Sequence, residues 1–147
     1  AVIDIIKSQC MQASPSLQAV VGLFISGGHL DAHKDYVLPA YQDRRDALVQ
    51  SMAKYFSPDS GVGLRTVPRG GMFGWVDGPQ APSSIYLFHE ALQRGAGIMP
   101  GPIFYPDANK EEALSGFRLN FGSVPIGKLI AGVGRVASAV PTSFRPR

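Results

Sequence analysis

The 147-residue chain is 45% hydrophobic and 17% charged, with a net charge of +3 from fourteen basic and eleven acidic residues. That is the composition of one globular domain able to bury a core, and its basic residues, scattered apart from Arg44-Arg45 and the Arg145/Arg147 tail, argue against a nucleic-acid-binding stripe. No apolar run reaches the roughly 18 residues that a membrane-spanning helix needs, and one cysteine, Cys10, closes no internal disulfide, which favours a reducing, cytoplasmic compartment.

The chain opens Ala1-Val2-Ile3-Asp4 with neither an initiator Met nor a targeting pattern, and so reads as a piece of a longer protein. Residues 1–12 suit a strand end or a helix start equally. Ser14-Pro15 then marks a helix entry, Ser14 as N-cap and Pro15 at the first helical position. Leu17, Val20, Val21, Phe24 and Ile25 follow at amphipathic spacing until Gly27-Gly28 ends the helix. A second helix is expected from Asp31 to Phe56, with a partial stripe of Val37, Tyr41, Leu48, Met52 and Tyr55. Pro39 should kink or break it near Val37–Leu38. Asp43-Arg44-Arg45-Asp46 reads as a solvated patch with no favourable i,i+4 pair.

Seventeen glycines and twelve prolines imply short connections between many elements. After a loop at Ser57–Gly63, Leu64–Val67 reads as a short strand and Pro68-Arg69-Gly70-Gly71 as a turn. Met72–Asp77 has Phe73 and Trp75 on one face and Met72 and Val76 on the other, so it belongs inside a sheet rather than at its edge. A loop through Gly78-Pro79 and Pro82 leads to a helix capped by Ser83 or Ser84 and ending at Arg94, with Ile85, Phe88 and Leu92 inward. Gly95-Ala96-Gly97 ends it before a very short strand, Ile98-Met99, stopped by Pro100-Gly101-Pro102. The last helix carries Ile126, Leu129, Ile130, Val133, Val136 and Val140 at helical spacing, and the tail from Pro141 is expected to fray. This order suits an α/β two-layer domain, a small three- or four-stranded sheet with helices packed on one face.

Between these lies the strand Phe117-Arg118-Leu119-Asn120-Phe121-Gly122. Phe117, Leu119 and Phe121 share an apolar face and Arg118 and Asn120 the other. A guanidinium on such a strand must reach solvent, a buried acid or an anionic ligand, because an unpaired buried charge is costly. Its planar fork matches a carboxylate. His29, His33 and His89 have no metal-ligand pattern, and Gly61-Val62-Gly63 is no phosphate loop.

Four segments resemble the C-terminal small domain of pyridoxal-phosphate-dependent class I/II (fold-type I) aminotransferases, of the kynurenine/2-aminoadipate or aminotransferase-like regulator group. They are Tyr41–Leu48, Val67-Pro68-Arg69-Gly70-Gly71-Met72-Phe73-Gly74-Trp75, Gly97–Tyr105 and Phe117–Phe121. The resemblance covers residues 14–140, leaving 1–13 as an interdomain remnant and 141–147 as a tail. It implies that Arg118 grips the substrate carboxylate, that Phe73 lines the substrate pocket or packs as sheet core, and that Tyr105 offers a hydroxyl near the substrate mouth or a structural hydrogen bond. Asn120 is expected to satisfy backbone.

The resemblance also implies a Schiff-base lysine, yet Lys7, Lys34, Lys54, Lys110 and Lys128 all lie outside the family's serine-rich context. The fragment is therefore expected to hold no catalytic residue, to bind no pyridoxal phosphate stably and to be inactive alone. The parent would transfer an amino group between an amino acid and a 2-oxo acid. Its expected partners are the substrate carboxylate, the missing large pyridoxal-phosphate-binding domain and a second copy in a homodimer. Two alternatives remain: the sensor body of a winged-helix regulator, and a non-catalytic α/β interaction domain with a structural Arg118.

Overall fold

The structure, a computed structural model, describes residues 2–10, 13–78, 82–106 and 111–141. The Cys10 side chain, Lys110 and the frayed tail expected beyond Pro141 lie outside the described residues. The chain divides into two compact units, residues 1–39 and 40–147.

In the first unit the ambiguous opening is helical: α1 spans Val2–Cys10, with Asp4 in its first turn and Lys7 in its last, each favourable to the helix dipole. Helix α2, Pro15–Ser26, starts with proline at its first position as expected. Ser14 occupies the N-cap but makes no capping bond; its hydroxyl lies 2.9 Å from Ser16 Oγ. Gly28, at φ 76°, makes the left-handed turn out of α2 that glycine adopts without strain. Helix α3 spans His29–Tyr55 with Pro39 inside it, so that, of the expected kink or break, the break does not occur. One proline removes one backbone donor, and the turns on either side keep theirs. The division between the units nevertheless falls at this proline.

The second unit holds an antiparallel sheet of β1 (Gly63–Leu64), β2 (Phe73–Asp77), β3 (Met99–Pro100) and β4 (Phe117–Asn120). The spatial order is β1-β2-β4-β3, so β2 is interior, as its two apolar faces require. Register pairs Phe73 with Asn120, Trp75 with Arg118 and Met99 with Arg118. β1 is shorter than expected, and Val67 is exposed. β4 ends at Asn120, while Phe121 and Gly122 still donate to the Met72 carbonyl at 2.9 and 3.2 Å.

Helices α4 (Ser84–Gln93), α5 (Glu111–Ser115) and α6 (Ile126–Ala139) complete the unit. Val76, Phe117, Leu119 and Phe121 of the sheet join Leu48 and Met52 of α3, Leu87 and Ala91 of α4, and Leu129, Val133 and Val136 of α6 in one core. That alternation is what period-2 strands facing period-3.6 helices must produce. On α4 the buried residues are Ser84, Leu87 and Ala91, with Phe88 half-buried, while Ile85 and Leu92 are exposed. The expected inward face is thus turned. Ile85 and Leu92, one heptad apart, share an exposed side of the helix, while Ala91 is fully buried. Ser83 caps α4 by accepting from Tyr86 N. Arg44 is also not simply solvated: its Nη1 donates to the Gly122 carbonyl at 2.8 Å and ties α3 to the end of β4.

Candidate functional site

With the helices on one face, the opposite face carries Phe73, Trp75 and Asp77 from β2 and Arg118 and Asn120 from β4. The Arg118 guanidinium carbon lies 3.9 Å from the Phe73 ring centroid and 4.6 Å from that of Phe104. Both are cation–π distances. Phe104 ends a 3₁₀ turn, Gly101–Phe104, that follows β3 and brings the ring over the sheet. The buried Gly101 donates to the Gly116 carbonyl at 2.8 Å and anchors this turn to the residue preceding β4.

Arg118 has neither an acid nor a hydrogen-bond acceptor among the described residues; the two rings are what it touches. Half-buried against them, it has lost part of its water without gaining an anion. Its fork is left to an anion of matching geometry. Asn120 is used up locally: its Oδ1 accepts from Gly122 N at 2.8 Å and its Nδ2 donates to Ser123 Oγ at 3.1 Å. That is the backbone-satisfying role expected of it.

Tyr105 and Trp75 form the flank of the same face. The Trp75 ring lies 5.7 Å from Phe104, edge to face, and 5.9 Å from Tyr105. On its other strand neighbour, Arg65 N donates to Trp75 O at 3.0 Å, and the Arg65 guanidinium sits 5.6 Å from the indole. Arg65 forks onto Asp77, with Nη2 to Oδ1 at 2.7 Å and Nε to Oδ1 and Oδ2 at 3.0 and 3.3 Å. The hydrogen bond to Asp77 first, and one with Tyr105 second, hold this guanidinium's pKa above its ordinary value.

The fold therefore brings Arg118 and Phe73 into direct contact and sets Tyr105 beside Trp75. Phe104, which the resemblance sets in the segment near the substrate mouth, completes the face with Trp75, Arg65 and Asp77, which were absent from the expected site. A strand reading of Leu64–Val67 held the signal for Arg65, since its register with β2 places Arg65 opposite Trp75. Phe104 carried no such signal in its periodicity, because the direction of a side chain leaving a 3₁₀ turn is not periodic; only the resemblance pointed to its segment.

A cavity of about 580 Å³ lies elsewhere, lined by Gly95, Gly97, Leu119, Lys128, Gly132 and Arg135 among others. Arg135 is committed there to the Gly95 carbonyl at 3.0 Å, and Leu119 belongs to the strand face opposite Arg118. The uncompensated Arg118 guanidinium, rather than this hollow, is the candidate site. Of the lysines, Lys34 pairs with Asp31 at 2.6 Å, Lys54 lies 5.2 Å from the Tyr55 ring, and Lys128 lines the cavity. Among the described residues no group of His, Cys, Asp and Glu could hold a metal ion, and no helix is long and apolar enough to cross a membrane.

No family model matches the chain. It is 31% identical over 129 residues to aromatic-amino-acid aminotransferase 1 of Thermococcus litoralis, across 87% of this chain and 29% of that protein. It is 28% identical over 127 residues to the HTH-type transcriptional regulator TauR of Rhodobacter capsulatus, across 84% of this chain and 24% of that one. The kynurenine aminotransferase of Pyrococcus horikoshii, solved in complex with PMP and KYN as substrates, superposes with a TM-score of 0.73 at 30% identity, over 84% of this chain and 29% of that structure. The chain thus spans less than a third of the length of these proteins.

Proposed function

We propose that this chain, which belongs with the fold-type I pyridoxal-phosphate-dependent aminotransferases and the aminotransferase-like regulators, is the substrate-carboxylate-binding domain of an aminotransferase. The observation that carries the reading is Arg118: a guanidinium on the open sheet face, oriented by two aromatic rings and lacking an anionic partner among the described residues. In this reading its fork takes the α-carboxylate of an amino acid or 2-oxo acid in two parallel hydrogen bonds. Phe73 and Phe104 shield the pair from water and strengthen it, since charge attraction grows as the local dielectric falls. Tyr105, its ring 5.9 Å from that of Trp75, borders the same face and in this reading contributes its hydroxyl either to the mouth or to Arg65. Residues 14–140 are this domain, 1–13 an interdomain remnant and 141–147 a tail.

Pyridoxal phosphate would supply the electron sink for amino-group transfer in the rest of the protein. In this reading no lysine of this chain carries the cofactor; Lys54 lies by the Tyr55 ring and Lys128 lines the cavity of about 580 Å³. The chain's part is to bind and orient the substrate by its carboxylate, in a soluble homodimeric, cytoplasmic enzyme.

The test is Arg118→Lys in the whole protein that carries this chain. Replacing a planar fork by a point charge should weaken use of the amino acid by about 2 kcal/mol, roughly thirtyfold in kcat/KM. Unchanged catalytic efficiency would reject the assignment. The similarity to a transcriptional regulator favours a second reading, in which the same arginine senses an amino-acid carboxylate without turnover. A winged-helix segment elsewhere in the whole protein, with ligand-dependent DNA binding lost in Arg118→Lys, would establish that reading over the first.

A further inference from the structure

One row of the sheet runs across three strand segments: Arg65, Trp75 and Arg118 stand side by side on the open face. The two arginines in it are treated differently. Arg118 meets rings and no acid among the described residues, whereas Arg65 is forked onto Asp77 by three hydrogen bonds between 2.7 and 3.3 Å. Both partners of that pair are exposed, Arg65 at 43% and Asp77 at 47%. An ion pair so open to water contributes little to stability. What three hydrogen bonds do achieve is to fix the guanidinium in one attitude, with its Cζ over the Trp75 ring, 5.6 Å from the centroid.

The indole needs such support. Its Nε1 is buried and has no hydrogen-bond partner among the described residues, so packing alone sets its orientation. Gly116 lies directly beneath it, where an added Cβ would come within 2.5 Å of Cζ2. Phe104 and Tyr105 lie against the ring, and Phe104 in turn lies on Arg118. A continuous stack therefore links the exposed ion pair to the guanidinium read as the carboxylate anchor.

We propose that Arg65, clamped by Asp77, is a positioning residue: it props the Trp75 indole, which holds Phe104 and Tyr105 and thereby sets the attitude of the Arg118 guanidinium toward its anion. This rests on the reading of Arg118 as a carboxylate site. Its rival is electrostatic: Arg65 merely adds positive potential, and Asp77 merely tempers it. The two predict opposite signs for one substitution. Removing the Asp77 charge unclamps Arg65, which weakens anion binding if Arg65 positions and tightens it if Arg65 only attracts.

Trp75 is the single tryptophan of the chain, so its emission reports the stack without any ligand. The experiment compares the 147-residue chain with Arg65→Met, Arg65→Lys and Asp77→Asn. Trp75 emission and anisotropy are read first, and glutarate is then titrated against the side-chain Nε–H resonances of the arginines. Arg65→Met should red-shift the emission, lower the anisotropy and weaken glutarate binding about fivefold, the scale of one lost cation–π contact. Arg65→Lys, which keeps the charge and loses the fork, should recover part of this, and Asp77→Asn should weaken binding in the same direction. The melting temperature should stay within about 2 °C of the parent chain, since an exposed pair is being removed. Unaltered Trp75 emission in Arg65→Met, or tighter glutarate binding in Asp77→Asn, overturns the proposal. If Arg118→Lys leaves glutarate binding unchanged, the carboxylate reading itself fails, while the emission data still decide whether Arg65 holds the stack.

Discussion

Arg118 shows how far a single residue can be read. Its face on β4 followed from period-2 alternation with Phe117 and Leu119, and both of those side chains are buried in the core. Its neighbours did not follow as easily. Phe73 is found by register counting, but Phe104 arrives from a 3₁₀ turn whose side-chain directions depend on the backbone path after Pro100. Gly116 is another position that composition alone cannot weigh. A Cβ there would stand 2.5 Å from Trp75 Cζ2 and 2.9 Å from Nε1, both too close for a rigid, packed indole. Gly116→Ala should therefore force the ring off its seat and destabilise the second unit by about 1–3 kcal/mol, the usual range for overpacking. Chemical denaturation followed by Trp75 emission measures this, and a variant with native stability and native emission would mean that the ring has room the structure does not show.

At the scale of elements, legibility depended on how one-sided the apolar pattern is. Helix α6 has one apolar stripe, and Leu129, Val133 and Val136 are buried as their spacing demands. Helix α4 is apolar on several sides, with Ile85, Leu87, Phe88, Ala91 and Leu92 in ten residues. Periodicity then offers more than one inward face, and the position of the sheet and of α6 selects among them. The selection can be measured. Leu87→Ala removes a fully buried side chain and should cost about 2–5 kcal/mol, whereas Ile85→Ala removes an exposed one and should stay within about 0.5 kcal/mol. Equal costs for the two would place α4 on the face that its sequence first suggests. For α3 the limit was Pro39: proline propensity argued for a kink or a break, and a helix flanked on both sides by intact turns carries the lost donor without breaking.

The molecule as a whole is defined by what its surfaces leave unmatched. The lysines supply one case. By the resemblance none is expected to have a Schiff-base context, and of those described in the second unit Lys54 lies by the Tyr55 ring and Lys128 lines the cavity. Mixing the chain with pyridoxal phosphate, reducing with borohydride and mapping by mass spectrometry should give scattered, substoichiometric labelling. A single stoichiometric adduct at one lysine would contradict the division of labour proposed above.

The first unit supplies the other case, and it concerns association. Helix α2 buries none of its residues: Leu17, Val20, Val21, Phe24 and Ile25 are all exposed, and so is Leu23 on its remaining side. A helix apolar nearly all round is normally an interior helix, and soluble proteins rarely leave so large a contiguous patch in water. The chain spans less than a third of the length of the aminotransferase and the regulator it matches. Alone, the chain has to satisfy this face with itself. Burying the five side chains of the stripe is worth on the order of 7–15 kcal/mol before entropy is subtracted, which is enough to drive pairing. Gly28, in the left-handed region at φ 76°, gives the link from α2 to α3 a hinge through which the helix can reach a partner. The isolated chain should accordingly run as a dimer or an exchanged dimer in light scattering, with α2 protected from hydrogen exchange, and Val21→Asp should return it to monomer. A clean monomer at high concentration with α2 already protected would mean that the stripe packs within one copy, and the expected association would be absent.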